Sequence, residues 1–179
     1  KKGERQWYQF GRSQSLNKFD NNKIVLTVLA ENYKYTPDYE SLALTGGGNG
    51  PYYLIKPKKP EKYSMEFILA ILNNELNEAR VRTCTSIFSG SYYSHGKEFI
   101  KNLYIPKATQ KQRDDITKKA KSLIDKLTSV DELQGHEKTI AVRKISAMEI
   151  EIKESILSLF NLTDSDSDIL KNCKVDRLD

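Results

Sequence analysis

The chain predicts an α+β protein: a small mixed or antiparallel β domain with one core helix and long loops, followed by an antiparallel hairpin of two long helices. Three observations carry that expectation. Short apolar and aromatic runs, separated by loops rich in glycine and proline, fill the first 106 residues. One capped amphipathic segment begins among them at Ser64. Beyond Pro106, two long segments carry apolar residues at helical spacing.

Taken in order, residues 5–19 place Trp7, Tyr8 and Phe10 before Gly11-Arg12, as in a short aromatic strand ending in a turn, with Ser13 placed to cap a succeeding helical turn. Lys23 to Ala30 is short, apolar and β-branched, and reads as one buried strand. Asn32 to Tyr39 reads as a partly exposed strand and loop, and Tyr52 to Ile55 as another strand closed by Pro57 and Pro60. Ser64 followed by Phe67, Ile68, Ile71, Leu72, Leu76 and Ala79 predicts a single helix from about Met65 to Arg80. Val81 to Phe88 is strand-like, and Gly90 to Gly96 forms an aromatic loop. Phe99 to Ile105 is a last short strand or turn before Pro106.

From Thr109 to Leu127 there is no glycine or proline, and Ile116, Ala120, Leu123, Ile124 and Leu127 form a stripe. Thr128 to His136 reads as a loop. A second helix from about Glu137 to Leu162 carries Ile140, Ile145, Met148, Ile152 and Ile156. Facing stripes imply an antiparallel pair. The expected division is therefore a first domain over 1–106, a helical hairpin over 107–162 and a tail over 163–179, with one further helical turn within 163–171.

A chain of 179 residues, 38% hydrophobic and 30% charged, suits a soluble protein with a moderate core. It contains no apolar run of about eighteen residues and no secretory pattern at its start. It has no initiator methionine and reads as a piece of a longer protein. Cys84 and Cys173 stand far apart, there is no Cys-x-x-Cys, and only two histidines are present, which argues against zinc and for a reducing, cytoplasmic location. Residues 1–106 hold 15 Lys or Arg against 10 Asp or Glu, whereas residues 107–179 hold 14 of each. The surplus positive charge thus belongs to the first part and favours an anionic partner such as nucleic acid.

The glycine-rich stretch Thr45–Gly50 is not a nucleotide cradle, because Pro51-Tyr52 stands where a P-loop needs Lys-Ser/Thr opening a helix. It reads instead as a close-approach turn that sets Tyr52 and Tyr53. Asp38 with Glu151 and Lys153 would mimic the acid pair and lysine of metal-dependent nucleases, but Glu151 and Lys153 fall mid-helix in a distant segment. His95 lacks a neighbouring acid or nucleophile in sequence and reads as a hydrogen-bonding or phosphate-facing loop residue. Cys84 reads as buried and inert. The alternating Asp164, Asp166 and Asp168 lack the glycine and final glutamate of a calcium loop. No catalytic set and no metal site emerges.

A nucleic-acid surface is better supported. Arg12, Gln14, Lys18, Lys34, Tyr35, Asn49, Tyr52, Tyr53, Lys56, Arg80, Arg82, Tyr92, Tyr93, His95 and Lys97 form a recurring mixture of cations, amides and aromatics in loops. Such groups contact phosphates, base edges and stacked bases. For any single tyrosine, packing is the simpler reading.

Several strings succeed one another in a familiar order. They are Trp7-Tyr8-Gln9-Phe10-Gly11-Arg12-Ser13-Gln14-Ser15-Leu16, Lys23-Ile24, Thr45-Gly46-Gly47-Gly48-Asn49-Gly50-Pro51-Tyr52-Tyr53, Ile68-Leu69-Ala70-Ile71-Leu72-Asn73, Tyr92 to Ile100 and Leu103-Tyr104-Ile105-Pro106. Together they resemble the TaqI-like C-terminal specificity domain of bacterial restriction–modification enzymes. That domain is the target recognition part of type IIG endonuclease–methyltransferases, and it is similar to the recognition domains of type I specificity subunits. The resemblance covers about residues 5–106, and the hairpin with its Leu157-to-Thr163 ending matches the helices that commonly come after such a domain.

The resemblance implies a non-catalytic module that reads a short double-stranded DNA sequence in the major groove for partner domains. It also implies spacer helices that hold the module against the methyltransferase, and a parent enzyme that uses S-adenosylmethionine and Mg2+. Gly11, Gly47 and the Leu72-Asn73 helix end would then be scaffold. The partners expected are double-stranded DNA, the methyltransferase and endonuclease domains of the parent chain, and a second copy through the helices. The alternative function is a protein-interaction module working through the helical hairpin.

Overall fold

Apolar and β-branched residues make Lys23–Thr27 the central strand, β1, of a three-stranded antiparallel sheet in a computed structural model that describes residues 22–31, 35–42, 51–88 and 90–172. The expected aromatic strand near residues 5–19 and the glycine turn Thr45–Gly50 lie outside the described residues. Strand β1 is followed by β2 (Leu29–Ala30), β3 (Thr36–Asp38) and β4 (Tyr52–Ile55), and the first sheet has the order β3-β1-β4. Ile24 pairs with Pro37 on one side and Ile55 on the other, while Thr27 pairs with Tyr52.

The run from Lys23 to Ala30 is therefore not one strand. At Val28 the N–H donates to the Pro51 carbonyl (2.8 Å), and the Val28 carbonyl accepts from the His95 N–H (2.6 Å). Val28 thus hands the chain from the first sheet to a second, in which β2 pairs with β6 (Tyr92–Ser94) and β6 with β5 (Ile87–Phe88). At the other end of β1, Lys23 forms a buried ion pair with Asp38. Asp38 also accepts from the N–H groups of Glu40 and Leu42, both at 2.9 Å. Burial pushes the Asp38 carboxyl up, but the Lys23 hydrogen bond, these N–H donors and the Lys23 charge together hold it below its ordinary range.

Ser64 accepts from the Phe67 N–H at 3.1 Å and caps α1 (Met65–Leu72), all eight residues of which are buried. A helix whose only polar side chain is Glu66, met by the Tyr39 hydroxyl at 3.2 Å, must be covered on every side. Accordingly, one buried cluster joins Ile24, Leu26, Phe67 and Ile71 to Ile116, Ala120, Ile152 and Ile156 of the hairpin. Fully burying Phe67 and Ile71 stabilises by about 1.5–3 kcal/mol each.

The apolar period continues to Ala79, yet the helix does not. The Asn73 amide brackets the Tyr35 main chain, accepting from its N–H (3.0 Å) and donating to its carbonyl (2.8 Å). Asn74 then caps a new helix, α2 (Glu75–Cys84), by accepting from the Leu76 N–H at 3.0 Å. This second helix takes up the first half of the stretch that reads as a strand over Val81–Phe88, of which only Ile87–Phe88 is strand, and it leaves Cys84 exposed rather than buried. A short helix, α3 (Lys97–Ile100), takes the first two residues of the expected strand or turn over Phe99–Ile105, because the N–H groups of Phe99 and Ile100 both bond back to the Gly96 carbonyl, and Lys101 and Asn102 form a turn after it.

Helix α4 (Gln110–Ser129) begins with a reciprocal capping box between Thr109 and Gln112. A 3-10 turn at Val130–Glu132 and Gly135, at φ 55°, lead into α5 (Gly135–Leu157), so little of Thr128–His136 is irregular. Lys119 pairs with Glu151 (3.0 Å) and Lys138 with Asp131 (3.8 Å), a pattern that only antiparallel helices produce. A 3-10 turn at Ser158–Phe160 and a left-handed Asn161 end the hairpin. The acidic run beyond it opens α6 (Asp164–Asn172), where Asp166 and Thr163 cap each other. Hydrogen bonds from the Thr163 hydroxyl and N–H hold the Asp166 carboxyl below its ordinary range.

Asn73→Ala should destabilise the protein by about 1–3 kcal/mol, because it strips both partners from the Tyr35 main chain. Urea denaturation followed by circular dichroism measures this, and a loss under about 0.5 kcal/mol, the range of a neutral surface change, would show that the bracket is dispensable.

Candidate nucleic-acid interface

Of the residues singled out for DNA contact, Arg82 and His95 meet at one carboxylate between α2 and the small second sheet. Glu78, on the inner face of α2, is 1% exposed. Its Oε1 accepts from Arg82 Nε at 2.8 Å, one helical turn on, and its Oε2 accepts from His95 Nε2 at 2.8 Å. Burial works to raise the Glu78 carboxyl, but the hydrogen bonds and charges of His95 and Arg82 outweigh it and hold the group below the ordinary range. His95, 2% exposed, turns its other ring nitrogen toward the Tyr93 carbonyl (3.2 Å), and its ring meets the edge of Tyr35. Burial and the Glu78 charge push the Tyr35 phenol well above its ordinary value.

Arg82 extends the clamp to the second sheet. Its Nη2 donates to the Glu31 carbonyl (2.8 Å), just past β2, and its guanidinium lies 4.6 Å from the Tyr93 ring centroid on β6. Ser91, in the turn of positive-φ Gly90, donates to the Glu31 carboxylate. Strands of two or three residues are weak by themselves. Here they are tied to α2 by side chains.

The structure separates the predicted residues into two groups. Tyr35, Arg82 and His95 belong to the supporting layer: Tyr35 and His95 are buried, and Arg82 is held by Glu78, Glu31 and Tyr93. Each Tyr-Tyr pair divides as strand alternation requires. Tyr52 is exposed while Tyr53 packs on the core, and Tyr92 is exposed while Tyr93 lies under Arg82. Arg80 and Lys97 are exposed near this layer's ends, and Lys56 sits at the opposite end of β4 from Tyr52. Arg12, Gln14, Lys18, Lys34 and Asn49 lie outside the described residues.

Two surface residues escaped the sequence reading. Ile87 and Phe88 on the edge strand β5 are 61% and 59% exposed, beside Tyr92. Their signal is an apolar pair directly before a Ser-Gly-Ser turn, which reads equally well as a buried strand end. Glu78 was also missed, because its partner His95 is seventeen residues away. The nuclease-like trio does not assemble: Asp38 pairs with Lys23, Glu151 with Lys119, and Lys153 with Glu75. Among the described residues no three or more His, Cys, Asp or Glu side chains are placed to hold a metal ion, and no helix is long and apolar enough to cross a membrane.

The chain is similar to a restriction–modification enzyme. Over 174 residues it is 29% identical to the type II restriction enzyme and methyltransferase RM.Eco57I of Escherichia coli. The match takes in 93% of this chain but 17% of that protein, so the chain spans less than a fifth of the relative's length. No protein-family model matches the chain.

Glu78→Ala should cost about 3–5 kcal/mol, since it leaves the buried His95 without its carboxylate and Arg82 with only the Glu31 carbonyl as acceptor. The depressed carboxyls of Glu78 and Asp38 also set a pH dependence. Their stabilisation is complete above the unfolded carboxylate pKa of about 4 and is lost as pH falls through it and below. The melting temperature should therefore hold from pH 7 to 5 and drop below about pH 4, with a shallower acid drop in Glu78→Gln. An acid profile identical in that variant would remove Glu78 from the account.

Proposed function

We propose that this chain is the DNA sequence-recognition module of a type IIG or related restriction–modification enzyme. In this reading it directs methylation and cleavage carried out by other domains of a longer protein. The observation that carries the reading is the similarity to RM.Eco57I across 93% of the chain. The surface chemistry supports it. Tyr52, Phe88 and Tyr92 offer outward aromatic and apolar contacts, Arg80 and Lys97 offer exposed cations, and the Glu78 clamp fastens the second sheet that carries Phe88 and Tyr92. Base edges and thymine methyls would meet the first group and phosphates the second. The module itself would hold no cofactor; S-adenosylmethionine and Mg2+ would serve the domains that do the chemistry, in the cytoplasm where DNA is met.

Selection of bound duplexes from a random pool by the full-length protein should enrich one short motif. Tyr92→Ala and Phe88→Ala should each relax or weaken that motif by about 1–3 kcal/mol without changing the melting temperature, as both side chains are exposed. Arg82→Ala should instead lower the melting temperature, because its guanidinium ties α2 to the second sheet. A folded protein that enriches no duplex would sink the proposal.

A second reading, a protein-interaction role for the hairpin, draws on Leu127, Ile140, Val142 and Ile150, which stay exposed on α4 and α5. Ile145 and Ile152 are buried within the fold, so charges there would test stability rather than association. Ile140→Asp with Val142→Asp is the informative pair. Sedimentation should show self-association that this pair abolishes, and a wild-type monomer at all concentrations would dismiss the second copy as partner.

A further inference from the structure

We propose that residues 56–62, between β4 and α1, form a strap that grips the DNA backbone through its phosphates, independently of sequence. This rests on the DNA-recognition reading and adds to it a contact site that the comparison does not supply. The strap reads Lys56-Pro57-Lys58-Lys59-Pro60-Glu61-Lys62, four lysines against one acid. Lys58, Lys59 and Lys62 are exposed and take part in no ion pair among the described residues. Two cations outside the strap are by contrast neutralised at short range, Lys101 by Glu98 and Lys153 by Glu75. Here three exposed lysines share one short turn closed on the Lys59 carbonyl, and an anion relieves the repulsion of like charges held close together.

The strap is held in shape rather than free. Pro57 and Pro60 fix their own backbone angles, and the N–H groups of Lys62 and Tyr63 both bond to the Lys59 carbonyl, at 3.0 and 2.9 Å. Tyr63 anchors the end. Its ring stacks on Phe67 of α1, with Lys62 Nζ 5.2 Å and the Arg113 guanidinium of α4 5.4 Å from its centroid. A constrained lysine cluster loses less side-chain and loop freedom on binding than a flexible one. Lysine is also a point charge suited to phosphate, whereas bidentate base reading favours arginine. The strap carries no large apolar side chain to enter a bilayer, so a polyanion fits it better than a lipid surface.

Its position agrees with this role. The strap leaves the Ile55 end of β4, and Tyr52 stands at the other end beside the second sheet. The strap's first residue, Lys56, is four strand steps on from Tyr52, about 13 Å, close to the width of a major groove, about 12 Å. With Tyr52 and the second sheet at the groove, the strap lies over the flanking phosphates.

The test compares the full-length wild type with Lys58→Gln/Lys59→Gln/Lys62→Gln, on the enriched duplex and on a scrambled one, across roughly 50–200 mM salt. The substituted protein should lose the same factor in affinity for both duplexes. Its log affinity against log salt should become shallower by about 3, one unit for each lysine, with base preference and melting temperature unchanged. Lys58→Arg/Lys59→Arg/Lys62→Arg should keep the wild-type slope. An unchanged affinity and slope in the glutamine variant, with the wild type still enriching its motif, would overturn the strap and leave the recognition reading standing. Lost base preference at unchanged slope would overturn its sequence independence. A wild type that enriches no duplex, or that binds vesicles of anionic phospholipid through the strap instead, would overturn both proposals.

Discussion

The buried Glu78 carboxylate is the point on which the outward-facing half of this protein depends. Taking an anion out of water is unfavourable by several kcal/mol, and Glu78 remains ionised in the interior only because Arg82 and His95 both donate to it. Each donor then reaches further. Arg82 touches the Glu31 carbonyl and the Tyr93 ring, and the His95 main chain bonds to Val28, where the two sheets separate. One carboxylate thus sets where β2 and β6 lie on α2. The second sheet has little apolar burial of its own: Ile87, Phe88 and Tyr92 all face solvent. A surface of that kind needs polar fastening from behind, and the Glu78 cluster provides it.

Behind this layer the protein is built on α1. Its eight buried residues contact the first sheet on one side and the hairpin on the other. Ser64, which caps α1, also meets Thr117 of α4 at 2.9 Å. The first-sheet residues and the proximal hairpin therefore share one core, with no apolar gap at Pro106. Lys119, between Asp115, Glu151 and Ser155, ties α4 to α5, and Lys153 with Glu75 ties α5 to α2. Such half-exposed pairs contribute little stability individually, but they fix orientation. A force on the hairpin would be transmitted to the sheets through α1.

Surface and support are consequently interleaved along the chain. Arg80 and Arg82 are two residues apart, yet one is exposed and the other is held in the clamp. The same holds for Tyr52 beside Tyr53 and Tyr92 beside Tyr93. The proposed division of labour, base contact near the second sheet and phosphate contact at the strap, arises from the two ends of β4 rather than from any one motif.

By itself the sequence determined the α+β class, the helix cap at Ser64, the antiparallel pair of long helices and the strands at Lys23 and Tyr52. Each of these is written in a local period, a cap or a breaker that acts within a few residues. Only the tertiary structure decided where long-range partners override the local pattern. The helix predicted to reach Arg80 stops at Asn73 because its amide finds the Tyr35 main chain thirty-eight residues away. The strand at Lys23 divides because Val28 bonds to both Pro51 and His95. Which tyrosine of a pair faces out depends on strand register, and His95 proved to be a clamp residue only once α2 brought Glu78 to it. A pattern within the chain specifies an element and its period, but a partner distant in sequence is specified only when the chain has folded.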